Sequence, residues 1–330
     1  MSIIVATPGR DVNATTPTNL DSFMKVFSGE VLTAYSRASK TEGRHFVRTI
    51  SAGKAANFPV LGRTTARYLP PGKSLDEGRQ NIPGTELPIL IDGLLVADAM
   101  ITDLDDAMNH FDVRAPYSTQ LGEALAYAAD GAVVAELAKL VVADEENLTG
   151  LGKGAIVAKS AAAGTAITSA TLGALYLDML LEMQYNMDAN NVPESDRVAY
   201  IAPDVSAALV NAKVVINSDY GGSSNIQEGR PVRVAGFNLV NFPNLTRGGA
   251  STTDILQGDG HIFPATYAST AKIVAAHRSA VGTLKLIGLG MEHARRAEYQ
   301  ADMFVAKYAM GHRGLRPEAV QMGTMTIEAG

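Results

Sequence analysis

Between Ser118 and Val142 the chain reads STQLGEALAYAADGAVVAELAKLVV, and no other stretch narrows the choice of fold as much. Leu121, Leu125, Ala128, Ala132, Ala135 and Ala138 recur at helical spacing, and Val133, Leu137 and Leu140 widen that stripe. Glu123, Asp130, Glu136 and Lys139 are spaced to face elsewhere. Ser118 is placed to cap the N-terminus, just after a Pro116 that discourages helix before it. About 24 residues at ~1.5 Å rise give a rod of roughly 36 Å, twice an ordinary helix. Its Ala-rich stripe lets neighbours come close. Such a helix is a spine on which sheets and loops hang.

The remaining composition narrows the function more than the fold. A chain of 330 residues has length for two intimately joined domains. Lys and Arg number 28 against 34 Asp and Glu, a net charge of -6, which argues against a nucleic-acid-binding module because phosphate neutralisation needs a basic surface. The absence of Cys removes disulfides, thiol catalysis and thiolate metal sites, and suits a reducing cytoplasm. The N-terminal residues lack the basic and apolar regions of a signal peptide, and no apolar run reaches ~18 residues, so neither export nor a membrane span is expected.

Taken in order, residues 1–20 are rich in Thr, Asn and Pro and read as an arm. Leu20 to Ala38 carries a helical stripe of Phe23, Val26, Phe27, Val31 and Tyr35. From Gly43 to Ile91, short apolar runs alternate with Gly and Pro around a polar middle, the pattern of a long β-hairpin-like excursion with a polar tip. Excursions of this length are uncommon in compact domains and are usually functional. Asp103 to His110 reads as a short helix; Asp103, Asp105 and Asp106 could form a carboxylate cluster for metal or acid–base work, but first-turn acids complementing the helix dipole are the favoured reading. Residues 143–170 read as a connection, and Thr171 to Asn190 as a second long helix. Beyond Asp196 the texture is α+β: RVAYIA a strand, PDVSAALVNA a helix with Pro203 in its first turn, VRVAGFNLVNFP a hairpin turned near Gly236, and AKIVAA a strand. Loops at 217–229 and 246–260 are rich in Gly, Ser and Asp. Local propensity favours helix over 290–320.

No constellation for chemistry emerges. There is no HExxH or GxSxG, and the six His residues have no metal-ligand spacing. Ser51–Lys54 matches SxxK without its partner motifs. Gly150–Gly154 lacks the P-loop and dinucleotide signatures. No catalytic, cofactor or metal residue is assigned, and no enzymatic activity is expected.

Several blocks carry a resemblance. KVFSGEVLTAYSR (25–37), FPVLGRT (58–64), IDGLLVAD (91–98), DDAMNHFDVRAPYSTQLGEALAYAADGAV (105–133), HRSAVGT (277–283) and ARRAEYQADMFVAKYAMGHRGLRPEA (294–319) are similar, in order, to the major capsid proteins of T7-like short-tailed bacteriophages. Residues 1–22, 143–170 and 211–262 depart from the pattern.

The resemblance implies an α+β chain with the HK97-type capsid fold. Residues 1–50 would be the N-arm and first helix, 51–92 the E-loop, 93–195 with 290–330 the P-domain around the spine helix, and 196–289 the A-domain. It also implies that 294–312 lies as a strand beside the spine, against local propensity. Subunits would form pentamers and hexamers of an icosahedral shell, built as a precursor with a scaffolding protein and a portal, and expanded as double-stranded DNA is packaged. Minor capsid or decoration proteins are possible further partners, and the DNA would be touched only weakly. The protein would reside in the virion after synthesis and assembly in the host cytoplasm. At the expected interface, an apolar base of Phe58, Val60 and Leu61 anchors the E-loop on a neighbour, and Arg63, Arg67, Lys73, Asp76, Glu77 and Arg79 pair with opposite charges there. Two alternatives stand beside this reading: an encapsulin-like cargo shell, and an enzyme using 51–92 as a lid.

Overall fold

The computed structural model describes residues 30–76, 78–102, 114–167, 169–212, 233–247 and 260–328. The expected arm at 1–20, the expected helix at 103–110, Glu77, the loop at 217–229 and most of 246–260 lie outside these residues.

The described chain is arranged around one helix. After a first helix whose described part is 30–38 (α1), the long helix α2 runs Arg114–Ala143, 30 residues or about 45 Å. It begins before Ser118, so the expected cap is wrong. Pro116 falls in the first turn, where its missing N–H has no intrahelical partner to lose. Ser118 is buried inside the helix and its hydroxyl donates to Glu30 Oε2 at 2.9 Å. α1 crosses α2 closely at Gly122, where a Cβ would stand 2.6 Å from the Val31 carbonyl oxygen.

Two sheets flank this helix. The first has four strands: β1 (Phe46–Thr49), β4 (Gly93–Thr102), β10 (Val281–Arg296) and β11 (Ala301–Gly314), in the order β1-β10-β11-β4. β10 and β11 form a long hairpin paired from Val281↔Gly314 to Arg296↔Ala301, with register shifts between Lys285 and Gly290, and β4 pairs antiparallel along β11. The helix favoured by propensity over 290–320 therefore does not form. Phe304, Ala306 and Tyr308 alternate onto α2, and both edges of β11 are hydrogen-bonded, so tertiary pairing overrides the local preference. Nor is 294–312 one strand: a turn at 297–300, with Gln300 at φ 47, divides it.

The second sheet has six strands in the order β5-β12-β9-β6-β8-β7: β5 (Ala155–Ala161), β6 (Arg197–Ile201), β7 (Arg233–Val234), β8 (Phe237–Asn241), β9 (Ala271–His277) and β12 (Val320–Ile327). β5 lies within the 143–170 stretch expected to be a connection; its parallel pairing with β12 supplies what local pattern did not signal. The β7–β8 turn falls at Ala235 and Gly236, φ 49 and 76, as the sequence predicts. Helices α3 (Ala170–Ala189) and α4 (Pro203–Asn211) pack beside this sheet through Leu172, Tyr176, Met179, Met183 and Leu209. Ser169 caps α3, accepting from Leu172 N at 3.2 Å. β5 and β12 thus join the sheet of 197–277, and β10 begins at Val281 in the other.

α2 takes part in both cores. Leu121, Leu125 and Ala129 meet β4 and β11, whereas Val133, Leu137, Ala138 and Val141 belong to the core of the six-stranded sheet. Residues 129–135 are all buried, so α2 has no solvent face there and the expected outward Asp130 is buried, 1 % exposed. Its carboxylate is fully used. Oδ1 accepts from Ser39 Oγ (2.8 Å), Thr41 N (3.2 Å) and Thr41 Oγ1 (2.6 Å), and Oδ2 from Lys40 N (2.5 Å). The end of α1 is tied to the long helix through these bonds.

Candidate assembly surfaces

The excursion is a true hairpin. β2 (Ala55–Leu61) pairs with β3 (Gly84–Leu90) from Ala55↔Leu90 to Leu61↔Gly84, and residues 62–83 form its tip. Strand alternation separates the three residues expected to anchor it. Phe58 and Val60 share one face and Leu61 takes the other. Val60 is buried, and Phe58 is half-buried beside the core of Ile89, Leu284, Ala309 and Leu315 in the same chain, with the Arg48 guanidinium 5.9 Å from its ring centre. Leu61 is exposed.

Most of the expected charges find partners in the same chain. Arg63 Nη2 donates to the carbonyl oxygens of Asn190 and Asn191 at the C-terminus of α3, where a cation complements the helix dipole. Arg67 Nη2 donates to Leu75 O at 2.7 Å. Asp76 and Arg79 pair at 2.7 Å, a solvated contact worth ~0–1 kcal/mol. Lys73 is exposed, its backbone N–H on Pro70 O at 3.2 Å. Thr65 Oγ1 bonds Gln80 Oε1 at 2.6 Å across the tip.

Among its exposed charges the tip also presents large apolar side chains outward, which local pattern did not signal. Tyr68 has a relative exposure of 103 %, and Leu69, Leu75 and Ile82 are exposed with it. The signal was compositional: large apolar residues isolated among polar ones, two of them just before Pro70-Pro71. Exposed apolar groups gathered on one projection mark an interaction surface. A second open surface is the four-stranded sheet. Leu95, Ala97, Ala99 and Ile101 of β4 face α2, leaving Leu94, Val96 and Met100 on the opposite face, each about half exposed. Met303 and Lys307 lie opposite Met100 and Val96 on β11, and Lys307 pairs with Glu292.

The root of the hairpin carries an ionic cluster. His261 Nε2 lies 2.6 Å from Asp92 Oδ2, and Nδ1 lies 2.9 Å from Glu136 Oε1. Lys139 Nζ is 3.0 Å from the same Glu136 oxygen and also donates to Gly260 O. Burial pulls the His261 pKa down, but the hydrogen bonds and charges of Asp92 and Glu136 outweigh it and hold it at about 9. Burial raises the Glu136 pKa, and the His261 hydrogen bond with the charges of His261 and Lys139 leaves it below the usual value. His312 packs edge-on to His261, with ring centres 5.4 Å apart, and Thr283 Oγ1 is 2.8 Å from its Nδ1. Burial, with the charges of His261 and His45, keeps His312 neutral, well below the usual range. Two of the six scattered His residues thus meet in space.

Among the described residues no group of three or more His, Cys, Asp or Glu is set to hold a metal ion, and no helix is long and apolar enough to cross a membrane. Gly150–Gly154 forms the turn into β5, with Gly150 and Gly152 at positive φ and Lys153 paired with Asp144 at 2.7 Å. Ser51 and Lys54 are exposed at the foot of β2.

Residues 57–322 match the family described as Gp10A-like: Major capsid protein. The chain is 48 % identical over 310 residues to the major capsid protein of Enterobacteria phage T3, covering 90 % of this chain and 89 % of that protein. Against the major capsid protein of Escherichia phage T7 the identity is 46 % over 318 residues, covering 93 % and 92 %. In three dimensions the chain is similar to a subunit of the capsid of Cyanophage P-SCSP1u, with a TM-score of 0.73 and 34 % identity over 96 % of this chain and 97 % of that one.

Proposed function

Since this chain belongs to the Gp10A-like major capsid protein family, we propose that its hairpin docks on a neighbouring copy and that repetition of this contact closes the shell. The protein is a major capsid protein of the T7-like phages, with the HK97-type fold, and it self-associates into the capsid of the virion. The observation that carries the docking is the hairpin tip, whose charges are largely satisfied within the chain while Tyr68, Leu69, Leu75 and Ile82 stand in water. Such a surface is completed by another subunit.

The exposed face of the four-stranded sheet is the receiving surface for that tip. Residues 51–92 act as the E-loop, 93–195 with 290–330 as the P-domain, and 196–289 as the A-domain near the centre of each pentamer or hexamer. Head-to-tail contacts of this kind close into rings when the rotation allows. Each contact is modest, and a shell gains stability from many repeats. Modest contacts also let misplaced subunits leave. A scaffolding protein sets curvature in a precursor shell assembled in the host cytoplasm, a portal occupies one vertex, and expansion accompanies packaging of double-stranded DNA. The role is structural, without catalytic turnover.

Expression of the chain with and without its scaffolding protein, followed by light scattering and negative-stain microscopy, tests this reading. Closed shells of uniform diameter are expected with scaffold. A monomer or dimer in both samples at high concentration overturns it.

A further inference from the structure

We propose that Asp92, His261 and Glu136 form a latch that sets the angle between the projecting hairpin and the long helix in the assembled shell. The inference rests on the shell reading above and names the positioning residues of its docking arm.

Asp92 stands at the corner where β3 leaves the hairpin and β4 enters the four-stranded sheet. The next residue, Gly93, has φ 148, so the chain changes course there in a conformation that favours glycine. Backbone bonds hold this corner to the hairpin and to β11, through Ile91 N to Lys54 O (3.0 Å) and Asp92 N to Met310 O (3.1 Å). Side chains tie the corner to α2 through His261. One imidazole receives Asp92 from the hairpin root and Glu136 from the helix, and it is itself carried on the segment leading to β9. Three segments distant in sequence therefore meet on a single ring. The groups that face it are Asp92 from the corner, Glu136 and Lys139 from α2, and Tyr308 and His312 from β11. A cavity of about 50 Å³, lined by Gly93, Leu95, Ala128 and Met310 among others, lies beside the corner. A rotation of the hairpin that breaks the Asp92 N–H bond to Met310 O withdraws Asp92 from the ring and leaves a buried cation against a single carboxylate. The two positions are thus discrete, and the closed one needs the charged ring.

The test compares shells of the full chain, wild type, Asp92→Asn and His261→Gln, by cryo-electron microscopy of the hairpin angle and by hydrodynamic radius from pH 7 to 10. The His261 pKa is raised on folding, so the latch holds at neutral pH and is lost as pH rises through about 9. Wild-type shells are expected to change radius in that window. Both variants should lack the transition and show a hairpin angle at pH 7 displaced from the wild type. Melting of unassembled subunits reports folding, and Asp92→Asn, an isosteric change at a partly exposed position, carries the comparison if His261→Gln unfolds. Variants with the wild-type angle and pH profile overturn the latch. Failure of the wild type to form shells strikes the shell reading instead.

Discussion

The two sheets differ in how far one chain completes them. Every residue of β6, at the middle of the six-stranded sheet, is buried, and β9 beside it and β12 beyond are nearly so. The four-stranded sheet is covered by α2 on one face, and Leu94, Val96 and Met100 remain half exposed on the other. The hairpin beside it buries its base and bares its tip. A region finished within the subunit owes its stability to its own core. On the docking we propose, a region left open is completed by a second copy. Substitutions in the two should therefore separate folding from assembly.

The sharpest way to break this contrast is Tyr68→Asp. Shell yield should fall about tenfold or more, because a weakened contact is repeated at every subunit. Unfolding of the isolated subunit should move by less than ~0.5 kcal/mol, as for other exposed sites. A loss of subunit stability equal to the loss of assembly would erase the distinction. In the closed region, Met183→Ala removes a fully buried side chain packed beside Gly323. Urea denaturation of unassembled subunits should show a cost of about 2–5 kcal/mol. Asp130→Asn probes the tie between α1 and α2. The amide cannot accept from every donor now on the carboxylate, and chemical denaturation should register roughly 1–3 kcal/mol.

A pH titration sharpens the comparison at the seam between the regions. His261 has its pKa raised to about 9 from 6.5, so its contribution is fully present below about 6.5 and fades as pH rises through about 9. The midpoint of urea unfolding should fall over that interval in the wild type and stay level in His261→Gln. The smallest effect belongs to Asp76→Asn at the tip. Its pair with Arg79 is more than 70 % exposed on both sides, and subunit stability should change by less than ~1 kcal/mol.

Local pattern sufficed where an element carries its own signal. α3 with its leucines, the β6–α4 passage with Pro203, and the turn at Gly236 were all legible. It failed where a distant partner decides. β11 is rich in helix-favouring residues, yet β4 and β10 hold it extended. β5 is a strand because β12 runs beside it. Asp130 reads as solvent-facing from its own helix, and only the corner at 39–41, about 90 residues away, makes its burial tolerable. The hairpin was legible as an excursion, but the charged residues assigned to a neighbour are mostly engaged at home. The missed apolar tip gives no periodic signal, since its residues belong to no strand or helix.

One consequence follows from the long helix being rooted in both cores. With hydrophobic side chains gripped at either end, α2 works as a rigid lever whose two ends cannot be tilted independently. A rotation of roughly 10° about its middle displaces each end by about 4 Å on a rod of ~45 Å. On the docking proposed above, a strain applied where the hairpin meets its neighbour is delivered to the far side of the subunit without unfolding anything between. In a closed lattice that makes each subunit a coupling rod, and a change of shape begun at one interface is handed on to the next.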